Sequence, residues 1–156
     1  MEVKIRTCVG QEDKLFLFDN FVETRWAEVS YFPWSTTEKM TFLHMQFKTR
    51  QAAYRSQFPN LETYILLDKG EKVGHFMMSA GDKNLHLVDV FVIPSHRSKG
   101  IGRRVLLSLM EKYESITLQV FYENTHAIRF YKTLGFVLAK EEVPYIKMQW
   151  KSRNTA

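Results

Sequence analysis

A mixed α/β domain of the α+β type is what this sequence predicts, on three observations. Several short stretches with strand character are separated by Gly-, Asp- and Asn-bearing turns of the kind that close hairpins. Before Phe58, two long stretches carry apolar residues at the spacing or the start signals of helices. The apolar run Leu85–Ile93 passes through Pro94 into a basic, glycine-punctuated segment, Arg97-Ser98-Lys99-Gly100-Ile101-Gly102-Arg103, from which another amphipathic pattern begins. With 156 residues the chain fits one domain, residues 1–156, large enough to bury a core without staples.

Val3–Thr7 alternates apolar and polar residues and predicts a first strand. From Gln11 to Val29, Leu15, Phe18, Val22 and Trp26 recur at three- and four-residue steps, which predicts an amphipathic helix with those residues inward. Pro33 interrupts it, because proline disfavours helical geometry in the preceding residue. Ser35-Thr36-Thr37-Glu38 has the form of a capping box, so a second helix starts there and runs to Gln57, before Phe58-Pro59-Asn60. Glu62–Leu67 and Lys72–Met78 read as strands joined through Asp68-Lys69-Gly70-Glu71, and Ala80–Asn84 turns into the long strand Leu85–Ile93. A third helix gathers Ile101, Val105, Leu106, Leu109, Met110 and Tyr113 on one face. Strand Ile116–Phe121 follows, then a helix that Asn124 can cap and Gly135 can end in the left-handed conformation. Phe136–Lys140 and Tyr145–Trp150 close the chain as an antiparallel pair, with 152–156 as a frayed tail.

Composition narrows the function classes. The apolar share is 45% and the charged share 25%, as in an ordinary globular protein. No apolar run approaches the roughly 20 residues that span a bilayer, and Met1-Glu2-Val3-Lys4 does not open a signal peptide. Cys8, the single cysteine, rules out an internal disulfide and suits a reducing, cytoplasmic setting. The net charge of +5 is dispersed, with no Lys/Arg tract or zinc-finger pattern, which argues against nucleic acid as partner. The histidines at 44, 75, 86, 96 and 126 have no metal-ligand spacing, so no metal is expected.

The glycine-punctuated segment carries the chemistry. The N–H groups of a first helical turn have no intrahelical acceptor, and the helix dipole adds partial positive charge there. Gly100 and Gly102 let an anion approach the main chain, while Arg97, Lys99 and Arg103 supply full charges. An anionic cofactor follows. The segment lacks the GxxxxGK[ST] spacing of a P-loop, and Val105 stands where a dinucleotide fingerprint needs its third glycine.

Arg97-Ser98-Lys99-Gly100-Ile101-Gly102 does fit the pattern R/Q-x-x-G-x-G/A, and Asn124 to Phe136 fit N-x-x-A-x-x-F-Y-x-x-L-G-F through Asn124, Ala127, Phe130, Tyr131, Leu134, Gly135 and Phe136. In this order, with one helix and one strand between them, the two motifs resemble the GNAT superfamily of acetyl-CoA-dependent N-acetyltransferases, over roughly residues 60–150. The resemblance implies a mixed, mostly antiparallel sheet of about seven strands, flanked by four helices, with a splayed β4/β5 pair. It implies acetyl-CoA as co-substrate, its diphosphate on Arg97, Ser98, Lys99, Gly100, Ile101, Gly102 and Arg103. It further implies contacts to the cofactor arm from the backbone of Phe91, Val92 and Ile93, and from Asn124, Ala127 and Tyr131. Asn124 is equally suited to capping its helix.

The same resemblance implies direct transfer to a primary amine of a small molecule or peptide. Tyr131 then protonates the departing thiolate, a phenol with a pKa of about 10 being a reasonable partner for a thiol. For the general base, His86 and Asp89 are the titratable candidates on the cofactor strand. Strict alternation sets them on opposite faces unless the strand carries a bulge. The first two helices and the terminal hairpin line the substrate side, where Trp26, Tyr31, Trp34, Phe42, Gln46 and Tyr54 are candidates for lining or for plain core packing. A non-catalytic acetyl-CoA-binding module is the alternative, and a homodimer is left open.

Overall fold

Seven strands hydrogen-bond into one sheet in the order β1-β2-β3-β4-β5-β7-β6, in a computed structural model that describes residues 2–153. The elements are β1 (Val3–Thr7), α1 (Gly10–Val29), α2 (Thr36–Gln57), β2 (Leu61–Asp68), β3 (Glu71–Ala80), β4 (Asn84–Val92), α3 (Ile101–Lys112), β5 (Ser115–Phe121), α4 (Thr125–Thr133), β6 (Val137–Glu142) and β7 (Tyr145–Lys151). Order and type follow the sequence reading. The addition is a short 3-10 turn, Pro94–His96, between β4 and the glycine-bearing segment. Every neighbouring pair is antiparallel except β4 and β5, which run parallel. At the C-terminal end, Ser152 still donates its N–H to Glu114 O at 2.7 Å, and 154–156 lie outside the described residues.

Local signals set the helix ends. Ser35 and Glu38 form the reciprocal capping box that starts α2. Asn124 accepts the Ala127 N–H at the start of α4, and Gly135 follows its end with φ +98°. α3 and α4 share one core with the sheet, in which Leu66, Leu85, Ile101, Leu106, Ile116, Leu118, Phe136 and Met148 are fully or almost fully buried. The opposite face is covered by α1 and α2, which hold Phe21, Val29 and Leu43 between them.

α1 is rotated from its expected face. Leu15 is 52% and Trp26 37% exposed, and the buried stripe is instead Asp13, Leu17, Asn20 and Phe21. Phe18 and Val22 turn sideways to pack with α2. The reason is electrostatic: Asp13 meets Arg6 at 2.6 Å and Lys72 at 2.7 Å and accepts the Val9 N–H at 2.8 Å. A buried carboxylate so satisfied docks α1 on β1 and β3 through its polar side.

The Arg6 hydrogen bond lowers the Asp13 carboxyl well below the usual carboxylate range; burial opposes it, and Lys72 and the Val9 N–H add to the lowering. With the folded value below the unfolded one of about 3.9, this contribution is present above about pH 5 and fades as pH falls below it. Asp13→Asn is expected to remove about 1–3 kcal/mol at neutral pH. Its deficit against wild type should shrink between pH 5 and 2 in denaturant unfolding curves; a deficit independent of pH would contradict the account.

Candidate active site

The parallel pairing of β4 with β5 runs from Asn84↔Ser115 to Leu87↔Leu118 and stops there, although β4 continues to Val92 and β5 to Phe121. Past Leu87 the strands diverge, and the β5-facing edge of β4 is left open. The β3/β4 register shifts at the same place: Met77 pairs Asp89 and Met78 pairs Leu87, so Val88 is an extra residue, a β-bulge. The bulge puts His86 and Asp89 on the same face, the one covered by α1 and α2. Gly74 of β3 lies under this strand, and a Cβ there would run into the Phe91 carbonyl oxygen. Only glycine allows the approach.

Between the open strand and the two helices is a cavity of about 460 Å³, with Leu17, Phe21 and Phe47 on its apolar side and Arg50, Gln51, Tyr54, His75 and Asp89 on its polar side. Phe91, Arg97 and Asn124 reach it from the β4 and α4 ends. A chain of polar contacts crosses it. Asn20 Nδ2 donates to His75 Nδ1 at 2.9 Å, and His75 Nε2 donates to Asp89 Oδ2 at 2.9 Å, which fixes the imidazole as the Nε2–H tautomer. Arg50 Nη2 lies 3.5 Å from the same Asp89 oxygen. Burial pushes the Asp89 carboxyl up, but the His75 hydrogen bond, then Arg50 and the Val90 N–H, outweigh it, and the net shift is downward.

Below β4 the backbone forms a cradle of N–H groups. Ser98 (φ +64°) and Gly100 (φ +83°) both adopt the left-handed conformation, and Gly100 is the N-cap of α3. The N–H groups of Ser98 through Arg103 find no acceptor among the described residues. Lys99 and Arg103 are exposed beside them, whereas Ile101 is 1% exposed in the core and offers only its backbone. Arg97 folds back instead: its Nε donates to Val92 O at 2.9 Å and its guanidinium lies over the Phe91 ring. Ile93 N–H donates to Val73 O.

Tyr131 is buried on the inner face of α4 between the rings of Phe130 and Phe136, outside the lining of the cavity. Burial, with the Asp89 charge adding to it, pushes its phenol up to about 12. Asn124 spends Oδ1 on the Ala127 N–H and still lines the cavity. His86 lies outside that lining, stacked on Phe58 and bonded through Nδ1 to Thr117 Oγ1 at 2.8 Å, with its pKa lowered by burial and then by Lys147. Of the aromatic candidates only Tyr54 lines the cavity; Trp34 and Phe42 pack with Phe32, and Tyr31 is 88% exposed. Nothing in the sequence singles out Asn20 or Arg50 for this site, whereas a histidine inside the apolar strand pattern of residues 73–78 is a signal for His75.

The profile of a family described as the acetyltransferase (GNAT) family matches residues 22–136. The chain belongs to this family. It is an acyltransferase, and the splayed mixed sheet is the GNAT fold. A Salmonella typhimurium protein named peptidyl-lysine N-acetyltransferase YjaB is 32% identical over 101 residues, 58% of this chain and 67% of that protein. Its Escherichia coli namesake is 27% identical over 65% of this chain and 69% of that protein. The crystal structure of the PaiA N-acetyltransferase of Thermoplasma acidophilum in complex with coenzyme A superposes with a TM-score of 0.71 at 16% identity, covering 97% of this chain and 100% of that one. That of Campylobacter jejuni PseH in complex with acetyl coenzyme A gives 0.62 at 14%, covering 97% and 99%. Among the described residues of this GNAT enzyme no cluster of side chains is arranged to hold a metal, and no helix is long and apolar enough to cross a membrane.

The polar chain across the cavity is testable on its own. His75→Phe keeps a ring but removes the partner that Asn20 and Asp89 share, and should cost about 1–3 kcal/mol for the buried Asn20 amide. His75→Gln, which retains a donor and an acceptor, should lose less in thermal and denaturant unfolding. Equal losses would mean the ring's packing, not its hydrogen bonds, is what matters.

Proposed function

We propose that this GNAT enzyme transfers the acetyl group of acetyl-CoA directly to a primary amine. The observation that carries the proposal is the divergence of β4 from β5 directly above a turn rich in unpaired N–H groups. An open strand edge suits the amide-bearing arm of the cofactor, and the cradle suits its diphosphate. Lys99 and Arg103 add charge to that cradle, while Arg97 braces β4 through Val92 O and the Phe91 ring. The coenzyme A and acetyl coenzyme A in the two crystal structures of like fold support the same choice of ligand.

Bound acetyl-CoA supplies a thioester carbonyl, and the chain's own groups handle the protons. Asp89, oriented by His75 and Arg50 and held ionised, takes a proton from the incoming amine directly or through water. His86 is the second candidate for that role; its place outside the cavity lining weighs for Asp89. Donors on the β4 backbone polarise the carbonyl oxygen as negative charge develops on it. Tyr131, kept protonated by its buried setting, gives a proton to the leaving sulfur.

Acetyl-CoA at 100 times its Kd should stabilise the protein by about 2.7 kcal/mol, and NAD or ATP should not do so comparably. Gly100→Val should abolish that shift, because φ of +83° strains any L side chain and the branched group occupies the phosphate's approach. An undiminished shift in this variant would remove the cradle from the reading.

Tyr131→Phe should lower kcat by about 10²–10⁴-fold with little change in acetyl-CoA affinity. Since the phenol is pushed up to about 12, wild-type kcat should show no falling limb between pH 7 and 10. Wild-type turnover by Tyr131→Phe across that range would leave Tyr131 as a packing residue.

A further inference from the structure

We propose that the accepted amine carries a carboxylate one carbon away, as a free amino acid does, and that Arg50 binds that carboxylate. The inference rests on the reading of Asp89 as the group that meets the amine.

Arg50 is a cation built into the wall of the cavity and left with unused donors. Its side chain is 28% exposed. Nε donates to Tyr54 Oη at 2.7 Å, and the guanidinium lies over the rings of Phe21 and Tyr54, with centroids at 5.5 and 5.1 Å. These contacts fix the plane of the fork. Neither terminal nitrogen makes a hydrogen bond among the described residues, since the approach to Asp89 Oδ2, at 3.5 Å, is an ion pair without hydrogen-bond geometry. The same Asp89 oxygen is already taken by His75 at 2.9 Å. A structural Arg–Asp pair closes fork on fork; this one stays open toward the cavity.

The spacing selects the ligand. In an α-amino acid the nitrogen and the carboxyl carbon, both bonded to Cα, are only about 2.5 Å apart. Asp89 and Arg50, 3.5 Å apart, therefore present an anion and a cation at the separation at which such a molecule presents its cation and anion. A polyamine brings further positive charge against Arg50. A lysine side chain in a peptide has no anion beside its amine, so Arg50 would face it unpaired. Leu17, Phe21 and Phe47 on the apolar side suit an apolar amino-acid side chain.

The test is thiol release from acetyl-CoA with matched acceptors: leucine, phenylalanine and methionine, their amides, their decarboxylated amines, a lysine peptide blocked at both ends, and spermidine. Free amino acids should exceed their amides and decarboxylated amines in kcat/KM by about 10–100-fold, the range of a hydrogen-bonded charge pair. Arg50→Gln should lower turnover of every acceptor and bring the ratio of kcat/KM for each free amino acid over its amide toward one, and Arg50→Lys should restore part of that ratio. The wild-type comparison decides the matter even where a variant fails to fold. Equal or better use of the amides, the decarboxylated amines, the blocked peptide or spermidine overturns this inference and leaves acetyl transfer standing. If acetyl-CoA neither stabilises the protein nor releases thiol with any acceptor, the proposed function falls and this inference with it.

Discussion

β4 cannot be a full partner to both of its neighbours, and the site exists because of that. It is paired to β3 along its length, yet it shares only the stretch ending at Leu87 and Leu118 with β5. An unpaired strand edge inside a sheet is costly unless something satisfies its donors and acceptors. In this fold Arg97 covers the Val92 carbonyl of that edge, and the Asp89 carboxylate meets the Val90 N–H. The bulge at Val88 belongs to the same constraint, since it turns Asp89 into the space that the divergence opens.

The environments of Asp89 and of Tyr131, which feels the Asp89 charge, are pushed apart. Asp89 sits among an imidazole N–H, a guanidinium and a backbone N–H, which together hold it charged. Tyr131 sits among aromatic rings with a carboxylate near by, which holds it neutral. Opposed shifts in neighbouring groups are the arrangement that lets one take a proton while the other gives one at a single pH.

What was legible in the sequence was local. The capping box at Ser35, the cap at Asn124, the left-handed glycines and the two motifs all act within a few residues of themselves, so their patterns survive in one dimension. The face of α1 did not, because its buried stripe includes Asp13 and Asn20, whose partners Arg6, Lys72 and His75 come from other strands. Counting apolar residues picks the flank toward α2 instead. The shared face of His86 and Asp89 also depended on a bulge that no residue type announces. Asn20 and His75 meet across 55 positions of chain, a separation at which periodicity carries no information.

The cleft's two sides come from separate stretches of chain. The cradle and the open strand lie between residues 84 and 103, whereas Leu17, Phe21, Phe47, Arg50 and Tyr54 lie before residue 58. Phe47, Arg50 and Tyr54 stand three and four residues apart, one rib of one helix. If that rib meets the acceptor, as proposed for Arg50, a drifting lineage could exchange what it acetylates by rewriting it, leaving residues 84–103 untouched.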